Sequence, residues 1–169
     1  MSINYDIKQF SVNGQFSAEN TDISFVNVNG SAILRNVNIL QDAKFNGNAT
    51  INRGRIGGEL FSNGNISLCD STIQGKTSIR GNLIATETQF NSTLNLMMGN
   101  ITLHASQARN IIVARVKSFW RYKPRIILSN NTIINGDIVF ENGQKGVVIL
   151  KDTSIINGKV HGGIVNNVK

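Results

Sequence analysis

The sequence predicts an all-β chain wound as a single-stranded parallel β-helix, one domain spanning residues 1–169. Three observations carry that prediction. Glycine recurs at a near-constant interval. Apolar residues keep fixed offsets from those glycines. Polar residues, asparagine above all, fill the alternate positions.

The glycines are Gly14, Gly30, Gly47, Gly64, Gly81 and Gly99, spaced 16, 17, 17, 17 and 18 residues apart. Two residues after them stand Phe16, Ala32, Ala49, Ile66, Leu83 and Ile101. Four after stand Ala18, Leu34, Ile51, Leu68, Ala85 and Leu103. Nine after stand Ile23, Ile39, Ile56, Ile73, Phe90 and Ala108. Two before stand Val12, Val28, Phe45, Ser62, Ile79 and Met97. Only Ser62 breaks the apolar pattern, where a chain of this composition would place about 10 apolar residues in 24 by chance. Gln15, Ser31, Asn48, Asn65, Asn82 and Asn100 directly follow the glycines. Alternation through each glycine is the period-two signature of a strand with one buried face.

A strand returning every 17 residues with the same internal order reads as one rung of a coil. Each rung stacks on the last, so like residues form columns. Stacked asparagines form amide ladders. Asn13-Gly14, Asn29-Gly30, Asn46-Gly47 and Asn63-Gly64 supply the left-handed backbone that corners need. The same dipeptides mark two-residue hairpins, so an antiparallel β-sandwich is the alternative fold. Residues 131–138 and 153–160 look like copies 22 residues apart, with the extra length in a loop near Gly143 and Gly146. About nine rungs at about 4.8 Å each give a rod of roughly 40 Å. The apolar offsets step by six, five and six, a broken hexapeptide. Variable rung length and inserted loops favour a right-handed coil over the strict hexapeptides of left-handed ones.

Composition agrees. Sixteen glycines and 24 asparagines argue against a helical bundle, and 40% hydrophobic residues argue against disorder. Cys69 is the single cysteine; it cannot form an intrachain disulfide and is expected as a small buried hydrophobe. Residues 1–10 lack the pattern of a secretory leader, and the aliphatic runs are too short to span a bilayer. The expected location is therefore cytoplasmic. The Asn-x-Ser/Thr triplets read as by-products of asparagine-rich coils.

The stretches Gly64-Asn-Ile-Ser, Gly81-Asn-Leu-Ile-Ala, Gly99-Asn-Ile-Thr and Gly136-Asp-Ile-Val resemble the Gly-Asp/Asn-Ile rungs of bactofilins, bacterial polymer-forming cytoskeletal proteins. The likeness covers residues 10 to 165. The chain is richer in asparagine, and less regular after Gly99, than that family's pattern. The resemblance implies a right-handed β-helix core and self-assembly into a scaffold.

Catalysis requires polar groups that converge. His104 and His161 read as surface histidines. Asp70 and Glu87 share a rung position, as a paired-carboxylate site would, but solvated side chains at a corner, with Arg53 one rung below, explain them as well. No Cys/His cluster, phosphate loop or nucleophile elbow occurs. No enzyme activity, cofactor, metal or small-molecule substrate is expected. A β-helix enzyme acting on polysaccharide or acyl substrates stays open by fold analogy alone.

Residues 109–125, RNIIVARVKSFWRYKPR, break the repeat. Arg109, Arg115, Lys117, Arg121, Lys123 and Arg125 supply six of the charges behind the net +7, and no acid occurs between Glu87 and Asp137. Phe119, the sole tryptophan Trp120, Tyr122 and the sole proline Pro124 accompany them. The segment reads as a widened rung or projecting loop. Arg115, Lys117, Phe119, Trp120, Arg121, Tyr122, Lys123 and Arg125 form its candidate binding surface for nucleic acid, an anionic membrane or a partner protein. The competing reading is that its rings cover the rod and its cations stay wet. The first function expected is scaffolding through self-association, as a homo-oligomer or filament; the second is docking through 109–125.

The register makes a direct prediction. Ile66, Leu68, Ile73 and Leu83 point inward, so Leu68→Asp places an unpaired carboxylate in the core and abolishes cooperative thermal unfolding. Asn65→Asp, on the outward phase, changes the melting temperature by far less. Equal melting of the two variants would reject the register.

Overall fold

In the computed structural model, residues 8–117 and 121–169 are described. They form one β-solenoid of about eight turns, close to the nine that the sequence predicts. Every strand pairing among them is parallel, and each strand pairs with its counterpart one turn away. That excludes the antiparallel sandwich.

Each regular turn has three faces. Ala43–Asn46, Ala49–Asn52 and Arg55–Ile56 form one turn; Leu60–Asn63, Ile66–Cys69 and Thr72–Ile73 form the next. The first face aligns Ala43 with Leu60, the second Ile51 with Leu68, and the third Ile56 with Ile73. All these side chains are buried. The four residues expected inward are at most 2% exposed: Ile66, Leu68, Ile73 and Leu83. The core is therefore a set of apolar columns running along the coil, and burial along the strands of the regular turns alternates as the period of two requires.

Ser62 faces inward as its register demands, stacked between Phe45 and Ile79 and fully buried. Met97 does not. The register shifts between Leu96 and Met98, so Leu96 takes the place over Ile79 and Met97 bulges out, 39% exposed. The 18-residue step from Gly81 to Gly99 is thus one bulged residue that re-aims its own side chain. Cys69 also departs from expectation. It lies on the outward phase at the end of a strand and is only partly buried.

Three corners connect the faces, and each meets its backbone constraint differently. At the first-to-second-face corner, Gly30, Gly47, Gly64, Gly81 and Gly99 have φ between +110° and +145°. A Cβ on any of them would strike the carbonyl oxygen of the glycine one turn earlier. Glycine is required twice over, by conformation and by close approach. Beside this column runs an amide ladder. The backbone N–H groups of Asn65, Asn82 and Asn100 donate to the side-chain oxygens of Asn48, Asn65 and Asn82 at 3.3, 3.3 and 3.1 Å.

The second-to-third-face corner uses left-handed residues that are not glycine: Asn20, Asn36, Arg53, Asp70, Glu87, Ala105, Asn130 and Asp152, with φ of 48–58°. One or two positions further on, in the later turns, is a column of buried hydroxyls. Ser71 accepts from the N–H of Gly54 at 3.0 Å and donates to the carbonyl of Cys69 at 2.9 Å. Ser106, Thr132 and Ser154 repeat the acceptor role at 3.1, 3.2 and 3.0 Å. A buried N–H left alone would cost about 1–3 kcal/mol, so these hydroxyls let the chain turn inside its own core.

Gly64→Ala should destabilise the fold by more than about 3 kcal/mol, because strain at positive φ adds to a backbone clash. At Gly14, with φ +116°, a Cβ would meet nothing within 4 Å, and Gly14→Ala should cost only about 1–2 kcal/mol. Denaturant midpoints of the two variants check the order; a reversed order would refute the column.

Candidate functional site

The insertion in 109–125 sits at the glycine corner. Ile111–Val113 still continues the first face, stacked between Leu94–Leu96 and Ile138–Phe140. Arg125–Ser129 resumes the second face. Regular strand therefore ends at Val113 and resumes at Arg125. Arg109 and Arg125 belong to the regular coil: the Arg109 carbonyl accepts the Gly136 N–H at 2.6 Å, and the Arg125 N–H donates to the Asn100 side-chain oxygen at 2.9 Å. Arg125 is thereby the last rung of the asparagine ladder, with its side chain exposed. Phe119 and Trp120 lie outside the described residues.

Tyr122 substitutes for the missing glycine. Its hydroxyl accepts the Gly99 N–H at 2.7 Å and donates to the Gly99 carbonyl at 2.6 Å. One phenol closes both backbone groups of Gly99; in the regular corners the glycine N–H donates to the next turn, as Gly47 does to the Asn63 carbonyl at 2.8 Å. Burial pushes its pKa up, opposed in part by the Gly99 backbone hydrogen bond. Tyr122, one of the expected contact residues, is half-buried, with its hydroxyl committed to the coil.

The other anchor is Gln144. The following turn carries a second insertion at the same corner, a short 3-10 segment Glu141–Gly143, at the place near Gly143 and Gly146 where the sequence predicts extra length. Gln144 is 6% exposed. Its side-chain oxygen accepts the Val116 N–H at 3.0 Å, and its amide donates to the carbonyls of Tyr122 at 3.2 Å and Lys145 at 2.9 Å. Arg115 reaches across to the Asn142 carbonyl at 2.8 Å. The two insertions are thus stitched into one ledge. Sequence reasoning missed Gln144 and Lys145. The available signal was that both insertions interrupt the same corner in successive turns and so must stack.

Between the insertions lies a cleft of about 200 Å³ lined by Arg115, Val116, Lys117, Tyr122, Lys123, Gly143, Gln144 and Lys145. Four of these residues are cationic and none is acidic. A neighbouring hollow of about 360 Å³ adds Arg80, Met97 and Met98 and shares Arg115, Val116 and Lys117. Arg115, Lys117, Tyr122 and Lys123 are thus brought together at one cleft, whereas Arg125 points from the adjoining face. Arg121 is exposed.

The remaining chemistry-bearing residues do not converge. Asp70 and Glu87 stand one turn apart on the exposed left-handed corner. His104 contacts Ser129 Oγ at 3.0 Å through Nδ1 and Asn130 Nδ2 at 3.1 Å through Nε2. His161 Nε2 lies 3.6 Å from Asp137 Oδ2, both about half exposed. Among the described residues there is no group of three or more metal-binding side chains, and no helix long and apolar enough to cross a membrane. No protein-family model, curated protein or solved structure matches the chain.

Tyr122→Phe should cost about 1–3 kcal/mol, because it strands a part-buried N–H and carbonyl at Gly99. The raised pKa fixes the sign of the pH dependence. The folded state prefers the neutral phenol, so this contribution is full below the ordinary phenol value and is lost as pH rises from there through the folded pKa. Wild-type stability should fall above about pH 10, and that fall should shrink in Tyr122→Phe. Identical alkaline profiles would contradict the assignment.

Proposed function

We propose that the chain is a non-enzymatic structural protein, a bactofilin-like β-solenoid that self-associates and acts as a scaffold. The supporting observation is the strand Ile164–Val168. Among the described residues it pairs on one side only, with Val147–Lys151. All five of its residues are exposed, Ile164 at 68%, Val165 at 37% and Val168 at 47%. Val165 continues the buried column of Val148, and no described residue stacks beyond it.

Soluble proteins blunt such edges with charges, proline, bulges or a covering segment. Ile164–Val168 carries neither charge nor proline along its length. It offers a ready row of backbone donors and acceptors, flanked by valine and isoleucine. A second copy of the same coil has strands of the right spacing and apolar columns to continue the stack. The resemblance of the Gly-Asn-Ile rungs to bactofilins points the same way, to polymer formation.

Sedimentation velocity of the full chain over a concentration series should show species larger than the monomer. Ile164→Lys combined with Val168→Lys should shift that distribution to monomer while leaving the circular dichroism spectrum unchanged. A strict monomer at every accessible concentration, or assembly indifferent to both lysines, would overturn the proposal.

A further inference from the structure

The geometry points to a second role, independent of self-association: we propose that the cleft between the two corner insertions binds a phosphate-type oxyanion through Arg115, Lys117, Lys123 and Lys145. Four cations lining about 200 Å³ without a carboxylate repel one another when the cleft holds only water. The backbone nevertheless keeps them together. Val116, between Arg115 and Lys117, is fixed by its N–H on Gln144 at 3.0 Å, and the Gln144 amide holds the carbonyls of Tyr122 and Lys145. The Gly99 bonds of Tyr122 fix the floor next to Lys123. The cations are thus carried by a braced ledge.

The charge of the occupant follows from the number of cations. A monocarboxylate neutralises one of four, whereas a phosphate monoester or diphosphate carries several negative oxygens and can engage lysine point charges and the arginine fork together. The Arg115 guanidinium is already oriented by its bond to the Asn142 carbonyl, which lowers the ordering cost of a second, ligand-directed contact. The shape of the site follows from its concavity. Cations that converge in a pocket suit a discrete group, while a duplex or a flat bilayer would be met by a stripe. The adjoining hollow beside Met97 and Met98 gives apolar surface to whatever carries the phosphate, whether a free ester or a lipid.

Calorimetric titration of the full chain with inorganic pyrophosphate at low salt tests the site, alongside flotation with phosphatidylcholine vesicles with and without phosphatidic acid. Binding of pyrophosphate, weakened by about tenfold or more in the triple variant Lys117→Gln, Lys123→Gln, Lys145→Gln, supports a site for free phosphate compounds. Flotation only with phosphatidic acid, without pyrophosphate binding and lost in the same variant, supports a headgroup site. Arg35→Gln, Lys76→Gln, Lys159→Gln removes equal charge elsewhere and should leave both readouts near wild type. Lys145→Gln alone serves if the triple variant does not fold. Absence of binding to both probes, or equal loss in the control triple, would overturn the proposal, the latter by assigning the attraction to net charge.

Discussion

Register is the constraint on which the rest of this molecule depends: each turn must return to the same lateral position, one strand spacing (about 4.8 Å) from the last. The backbone hydrogen bonds of a parallel coil connect residue to counterpart, not neighbour to neighbour, so one residue too many displaces every column downstream. The glycine corner enforces this most tightly. With each glycine seated against the carbonyl of the glycine one turn earlier, there is no room for a side chain. The extra residue Met97 is absorbed by a bulge before the corner and does not displace Gly99, which still pairs with Gly81.

The same constraint explains the form of the insertion. The insertion interrupts the glycine column, which would leave the last glycine's N–H without the carbonyl that the next turn supplies in the regular corners. A hydroxyl is both donor and acceptor, and Tyr122 brings one back to Gly99 from the far side of the loop. On the outer side Arg125 closes the asparagine ladder with its own backbone N–H. Strands resume in register on both sides: Ile101 stacks on Ile126 across a step of 25 residues as accurately as Ile66 on Leu83 across 17. Tyr122 and Gln144 are therefore best understood as parts of the coil that make the loop permissible.

The coil was legible because its columns are one-dimensional. Spacing and alternation place Leu68 or Ile73 in the core without knowledge of any distant contact. What was not legible depends on contacts between turns that share no sequence pattern. The hydroxyl column of Ser71, Thr88, Ser106, Thr132 and Ser154 looks, residue by residue, like ordinary exposed serine and threonine; burial becomes evident only once the left-handed corner one or two residues before each one is placed. The bracing role of Tyr122 was not legible because aromatic-basic composition is shared by docking loops and by loops that pack on their own scaffold. Arg109 was counted with the basic segment for its charge; its carbonyl, which accepts the Gly136 N–H, keeps it in the regular coil. The bulge at Met97 was visible as an 18-residue step, but the step does not say which of the residues is extra.

Column stacking also accounts for where the charge lies. In a regular turn every outward side chain has a counterpart about 4.8 Å above and below, so a charged repeat position would set like charges against each other along the rod. The second face avoids this: Ile33, Thr50, Ser67, Ile84, Thr102, Ile127 and Ile149 succeed one another without a charge. Within the strands a charge can enter a column beside a neutral neighbour, as with Arg35 beneath Asn52; at the left-handed corner, by contrast, Arg53, Asp70 and Glu87 succeed one another. Lys44 lies 5.5 Å above the ring of Phe61, the residue stacked on it in the next turn. A cluster of several cations is accommodated more easily where the stacking is interrupted, and that is an insertion. At the corner between the first and second faces two successive turns both carry multi-residue insertions, and it is there that Arg115, Lys117, Lys123 and Lys145 line one cleft. The physics that makes the rod uniform thus confines concentrated chemistry to its interruptions.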